Sequence, residues 1–282
     1  MTGQAPTYRI AHGAYEAEIA SFGGGIKSLT FAAEPLVETY QDLPPMCAGV
    51  VLAPWPNRTA DGRFNWRGSV YCLPVNEPER NNAIHGFVCD KAWELKRYCV
   101  NQVQLTTQIE APWPWPIQLT ATYSLDQTGL HARFEARAEQ DCPFAFGLHT
   151  YLSARGAAAD ASILSLGVTE HHLLDTRNLP TGVVESVVVK QQRIADVAWD
   201  DCFRGQGPLT ADYVSAGKGV RLAMGPGLDW IQMYTPDNYP GRGRALAVEP
   251  MSAPPNALRS GIDLAEINAH QPIAYELRLS AI

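Results

Sequence analysis

The sequence predicts an all-β fold, two antiparallel sheets with a concave face, and three observations carry that prediction. Short segments alternate apolar and polar residues with a period of two. The chain's 21 prolines and 23 glycines punctuate them. No stretch shows the three-to-four-residue apolar period of a convincing amphipathic helix. Strands this short each bury one face, and stacked sheets are the arrangement that satisfies them all.

Taken in order, Tyr15, Ala17 and Ile19 alternate with Glu16 and Glu18 as a half-buried strand. Gly23-Gly24-Gly25-Ile26-Lys27 lacks the GxxxxGK[ST] spacing of a phosphate loop and reads as a turn between strands. Val103, Leu105, Thr107 and Ile109 alternate with Gln104, Thr106, Gln108 and Glu110. Ile117 to Leu125 and Leu130 to Ala136 repeat the pattern around a turn at Asp126 to Gly129, which predicts a hairpin with His131 on its solvated face. Val184 to Val189, Val220 to Met224, Leu228 to Tyr234 and Ile273 to Leu279 are further expected strands. Ala245 to Val248 reads as the end of a buried strand. Pro250, Pro254 and Pro255 lack a backbone donor and are expected to stop it, leaving Glu249 at the strand's lip, half out of water. A carboxyl there has reason to carry a raised pKa.

No linker, repeat or charge block interrupts the 282 residues, so one domain over 1–282 is expected. Hydrophobic residues at 46% and charged residues at 18% describe a soluble globular chain. With 22 Lys plus Arg against 29 Asp plus Glu, the formal charge of −7 disfavours nonspecific binding to nucleic acid. Neither a leader nor an apolar run long enough for a membrane span is visible, which points to the cytoplasm. The six cysteines form no CxxC pair and read as free thiols; without HxH or HExxH spacing no metal site is expected, and no cofactor fingerprint is present.

Three loops bring polar residues among Pro, Gly and aromatics. Residues 53–64 carry Arg58 and Arg63 beside Trp55 and Phe64; 81–91 carry His85; 144–152 place His149 in an apolar run. Asn57-Arg58-Thr59 is formally a glycosylation triplet, without meaning in a cytoplasmic chain. Trp113 and Trp115 suit either stacking on a sugar face or a rim closing the core. An arginine, two histidines, an acid at Asp200 or Asp201 and Glu249 form an inventory for acid/base chemistry on a polyhydroxylated substrate.

With these residues in hand, the chain resembles the aldose 1-epimerase (galactose mutarotase-like) family over nearly its whole length. An NR…G.F segment is matched by Asn57, Arg58, Gly62 and Phe64, and an N..HG…DK.W segment by Asn82, His85, Gly86, Asp90, Lys91 and Trp93. His149, Tyr151 and Leu152 match a His-aromatic-Leu element, Pro180-Thr181-Gly182 a PTG turn, and Asp200 with Phe203 a D..F element. Glu249, Pro254, Pro255, Asn256, Ala257, Ser260 and Gly261 match the carboxylate segment near the C-terminus. Two departures stand out: Leu148 replaces the usual asparagine, and Asn268 to Pro272 replace a Pro-Gly-Glu turn. The GLHTYL and VEPM spellings look closest to a bacterial mutarotase-like branch.

The resemblance implies a large antiparallel β-sandwich with a concave sugar-binding cleft and cofactor-free interconversion of the anomers of a monosaccharide, by a monomer or homodimer. It implies Glu249 as base and His149 as acid, with Arg58, His85 and Asp200 holding sugar oxygens. The D..F spacing selects Asp200 over Asp201. Two alternatives stay open: an anionic sugar, such as a hexose 6-phosphate or sulfonated hexose, met by Arg63, Arg80 or Arg204, and a non-catalytic carbohydrate-binding protein. A glycosidase is disfavoured, since only Glu249 stands where one of two carboxylates is needed.

Overall fold

The computed structural model describes residues 5–282; the first four residues, part of the segment read for a leader, lie outside them. Ile117–Asp126 and Gly129–Ala138 pair residue for residue from Ile117 opposite Ala138 to Asp126 opposite Gly129, the predicted hairpin. Ile117, Leu119, Ala121, Tyr123 and Leu125 are all buried, so the period-two signal marks the core face. His131 lies on the other face, beside Asp126 and Thr128.

This hairpin lies within a nine-stranded antiparallel sheet. Its order is Glu94–Cys99, Gln102–Ile109, Ile117–Asp126, Gly129–Ala138, Ile273–Ala281, Lys218–Met224, Thr210–Ser215, Ile163–Leu166 and Val189–Arg193. A second, eight-stranded sheet runs Pro180–Ser186, Glu170–Leu174, Asp200–Arg204, Trp230–Tyr234, Leu246–Met251, Gly147–Leu148 and Val51–Leu52, with Tyr151–Leu152 also paired to Leu246–Met251. The sheets share one apolar core. Phe146 carries it across, its ring centroid 4.6 Å from Phe134 and 5.4 Å from Tyr275. Each such buried side chain contributes roughly 1.5–3 kcal/mol. Among the described residues no helix is long and apolar enough to cross a membrane.

Two expectations are corrected. Val184 to Val189 is not one strand: Pro180–Ser186 and Val189–Arg193 lie in different sheets, with Val188 exposed in the break. Nor does Pro250 stop its strand, since Leu246–Met251 runs through it and is buried throughout. Val248 and Ser252 donate their N–H groups to Thr150 and Phe146, so the residue-250 nitrogen faces the same neighbour. There the Leu148 carbonyl takes the Thr150 N–H instead, and a missing donor costs nothing.

The triple glycine is a turn, as read, between Tyr15–Ala20 and Ile26–Phe31. A Cβ on Gly25 would lie 1.9 Å from the Gly49 carbonyl oxygen, which accepts the Ile26 N–H at 3.0 Å. This close approach seats the chain just after Met46 and Cys47, which line the cavity described next.

Candidate active site

The polar residues of the second sheet are assembled by strand register. Asp200 pairs with Tyr234, Cys202 with Gln232, and Gln232 with Glu249. Cross-strand partners share a face, as do residues two apart along a strand. Asp200, Gln232, Tyr234 and Glu249 therefore form one row, and Asp201 points the other way, its Oδ1 2.9 Å from His171 Nε2. His149 joins the row from the bend between Gly147–Leu148 and Tyr151–Leu152. Its backbone is held there by Val50 and Gly49, and its ring stacks on Tyr151 at 5.3 Å.

The row opens into a cavity of about 270 Å³, near the lower end for small-molecule pockets at roughly 300 Å³. All five residues singled out from the sequence line it: Arg58, His85, His149, Asp200 and Glu249. Gln232, Tyr234, Asn57 and Arg80 join them. His149 Nε2 stands 3.3 Å from Glu249 Oε1. The two residues are only 6% and 2% exposed, so Glu249 is a fully buried mid-strand residue and not the half-solvated one expected at a strand's lip.

Burial sets the charge states. It raises the Glu249 carboxyl well above the ordinary value, the Asp200 carboxylate adds to this, and Arg58 opposes it. Burial pushes His149 down to about 4. His85 is held well below its usual range by burial, then by His149 and Arg58. The His85 tautomer follows from its neighbour: the Asn57 backbone N–H donates to Nδ1 at 3.3 Å, so Nε2 carries the proton of the neutral ring. Glu249 Oε2 and Gln232 Oε1, both buried, have no hydrogen-bond partner among the described residues. Acceptors left so are costly, and a ligand bearing hydroxyl donors satisfies them.

Opposite this row, Arg58–Ala60 pairs with Asn82–Ile84 and carries Arg58 into the cavity. Its guanidinium does not turn its whole fork to the cavity. The Nε–Nη2 edge clasps Glu77, with Nε 2.9 Å from Oε2 and Nη2 3.0 Å from Oε1. Asp200 is held by Gln232 Nε2 at 2.8 Å and by the amide of Asn178.

The remaining candidates fall elsewhere. Arg63 is exposed in a separate groove, and Arg204 pairs with Asp263 over the Trp230 ring. Trp113 and Trp115 are 2% and 8% exposed and pack on Phe64, so they close the core and offer no stacking platform. Sequence reasoning missed Glu77, Gln232 and Asn178. Gln232 left a trace, a lone amide between apolar residues of Trp230–Tyr234, whereas Glu77 lies in a polar Pro-containing loop that marks nothing.

The fold is thus a β-sandwich whose cavity brings a buried imidazole and carboxyl together with an arginine and a second histidine. The chain belongs to the aldose 1-epimerase family, whose model matches residues 6–280, and so stands among the mutarotase isomerases. It is 29% identical over 279 residues to YihR, an uncharacterized protein of Escherichia coli K12, covering 94% of this chain and 90% of that one. It is 30% identical over 148 residues to galactose mutarotase of Mus musculus, across 49% of this chain and 42% of the mouse protein. The GalM/aldose epimerase homologue of C. elegans has the same fold, with a TM-score of 0.87 at 17% identity and 99% coverage of both chains.

Proposed function

We propose that this chain interconverts the α and β anomers of an aldose by opening and reclosing the sugar ring. The observation that carries the reading is the His149–Glu249 contact at 3.3 Å on the wall of a cavity of about 270 Å³. Ring opening requires that the anomeric hydroxyl lose a proton while the ring oxygen gains one. A positioned acid and base contribute ~10²- to 10⁴-fold for each such transfer.

At rest the pair shares one proton, which burial keeps on Glu249 with His149 neutral. Sugar hydroxyls donating to Glu249 Oε2 stabilise the carboxylate and move that proton to His149. Glu249 then takes the anomeric proton as His149 protonates the ring oxygen, and the ring bond breaks to leave an aldehyde. Rotation about the bond between the first two carbons presents the other aldehyde face. Reclosure returns both protons in reversed roles and gives the other anomer. Arg58 and the His85 Nε2–H hold oxygens on which negative charge builds, and Asp200 and Gln232 Oε1 accept hydroxyl bonds.

A second reading concerns the sugar. Arg80 places another guanidinium in the cavity wall, which favours an aldose bearing an anionic substituent. Arg63 and Arg204 give no such support. Polarimetry of freshly dissolved α-D-glucose and α-D-galactose, with NMR anomer exchange of their 6-phosphates, tests both readings. Acceleration by the wild type that is lost in Glu249→Gln and His149→Ala supports the mechanism, and the preferred sugar chooses between neutral and anionic substrates. Binding without acceleration on any sugar would leave a carbohydrate-binding protein instead.

A further inference from the structure

Glu77 lies outside the cavity lining, yet it touches both arginines that form the cavity's cationic wall. Glu77 is 7% exposed, and both carboxylate oxygens accept several bonds. Oε1 accepts from Arg58 Nε at 3.1 Å, Arg58 Nη2 at 3.0 Å and Arg80 Nη1 at 3.0 Å. Oε2 accepts from Arg58 Nε at 2.9 Å and Asn82 Nδ2 at 2.9 Å. Burial alone would push this carboxyl's pKa up, but the bonds from Arg58 and Asn82 outweigh it and hold the group below its ordinary value.

The backbone fixes the carboxylate as firmly. Glu77 and Asn82 exchange both N–H to carbonyl bonds at 3.1 Å, and Pro78–Arg80 forms one tight turn between them that returns Arg80 toward the same oxygen. Asn82 is anchored in turn by Arg177, whose Nη2 donates to Asn82 Oδ1 at 3.2 Å. Two guanidinium groups side by side repel each other, and a buried carboxylate between them removes that repulsion while fixing their directions. Arg58 spends its Nε–Nη2 edge on Glu77, so the carboxylate decides which edge is left for the cavity.

We propose that Glu77 is a positioning residue that sets Arg58 and Arg80 for the sugar. The proposal rests on the mutarotase reading above. Glu77 does not touch the reacting atoms; it acts through the two arginines.

The experiment measures kcat and KM of wild type, Glu77→Gln, Arg58→Met and the double variant on the aldose that the wild type accelerates most, with thermal midpoints alongside. In Glu77→Gln, kcat/KM is expected to fall by about tenfold or more, through kcat as well as KM, because a misplaced Arg58 no longer meets the oxygen on which charge builds. In the Arg58→Met background the same change is expected to add less than about twofold, since its main route is already gone. A lowered midpoint with unchanged kcat and KM, or losses that simply multiply in the double variant, would overturn the assignment. Should a Gln or Met variant fail to fold, Glu77→Asp carries the decision: it keeps the charge but shortens the reach, and kcat/KM is expected to fall, whereas wild-type constants overturn the proposal. Wild type without activity on any sugar would mark failure of the mutarotase reading; an active wild type matched by Glu77→Gln would sink the positioning role alone.

Discussion

His149 Nε2 and Glu249 Oε1 face each other at 3.3 Å in the wall of a cavity, and burial drives both groups toward their uncharged forms. The histidine goes down to about 4 and the carboxyl goes well up. Between those limits the pair holds one proton, the number that ring opening requires. The resting arrangement places it on the partner that must act as base, so the productive ionic arrangement is reached when the sugar binds. A proton shared this way titrates as a property of the pair.

The pH dependence of kcat/KM is accordingly expected to be a broad bell with its limbs exchanged. Activity falls on the acid side near pH 4, where a second proton enters the pair, and on the alkaline side well above the ordinary carboxylate range, where the last proton leaves Glu249. Independent groups at their usual values would instead confine activity to a narrow window between carboxylate and histidine ionisation. NMR anomer exchange across the pH range decides between the two shapes, and a narrow bell ending near pH 6.5 would reject the shared proton.

Stability should show the same exchange when the pair is broken. Unfolded, the pair at pH 4.5 to 6.5 also holds one proton, on the histidine, so this pair gives wild-type stability no pH dependence there. In Glu249→Gln only His149 remains, and the unfolded chain binds more protons than the folded one between about pH 4 and 6.5. Stability of this variant relative to wild type must therefore rise with pH, by on the order of 3 kcal/mol over the full span. In His149→Gln only Glu249 remains; the folded chain binds the extra proton above pH 4.5, and relative stability must fall as pH rises. Denaturant midpoints at several pH values test this, and slopes of one sign in both variants would contradict it.

The strands and the site were unequally legible. Alternation such as Ile117 to Leu125 is set by one buried face, a local signal that any half-buried strand carries, so the hairpin could be placed to within two residues at each strand end. Val184 to Val189 misled because an exposed Val188 joins two sheets and spacing cannot show a change of sheet. Pro250 misled for a different reason: whether a missing N–H ends a strand depends on what the neighbouring chain offers, here a Leu148 carbonyl already bonded to Thr150. The five cavity residues were named from motif order, yet their supports were not. Glu77 and Asn178 matter through partners distant in sequence, and only folding brings those together.

Arg58→Lys is expected to be costly for a reason that the sequence did not reveal. A lysine keeps the charge but cannot give Glu77 the paired Nε and Nη2 bonds, and losing one charge-assisted bond of this kind costs ~1.5–3 kcal/mol. The variant should therefore lose thermal stability as well as kcat/KM. An unchanged melting temperature with lowered activity would mean that Glu77 finds other partners and that Arg58 matters only at its cavity edge.

Asp200 and Asp201 provide a test in which chemistry and position separate. They are adjacent on one strand, so one faces the cavity beside Gln232 and the other faces His171. Asp200 accepts bonds from Gln232 and Asn178, and its charge helps to hold the Glu249 carboxyl up. Asp200→Asn keeps the shape, removes the charge and replaces one acceptor with a donor. Its KM is expected to rise by roughly tenfold, the cost of a lost charged hydrogen bond, and its alkaline limb to move to lower pH because Glu249 loses a neighbouring negative charge. Asp201→Asn should leave both quantities as in wild type and change the contacts on its own face, chiefly that with His171. A shifted limb in Asp201→Asn, or an unshifted one in Asp200→Asn, would break the link between the strand's alternation and the proton pair, because that link requires the effect to follow the face and not the position along the chain.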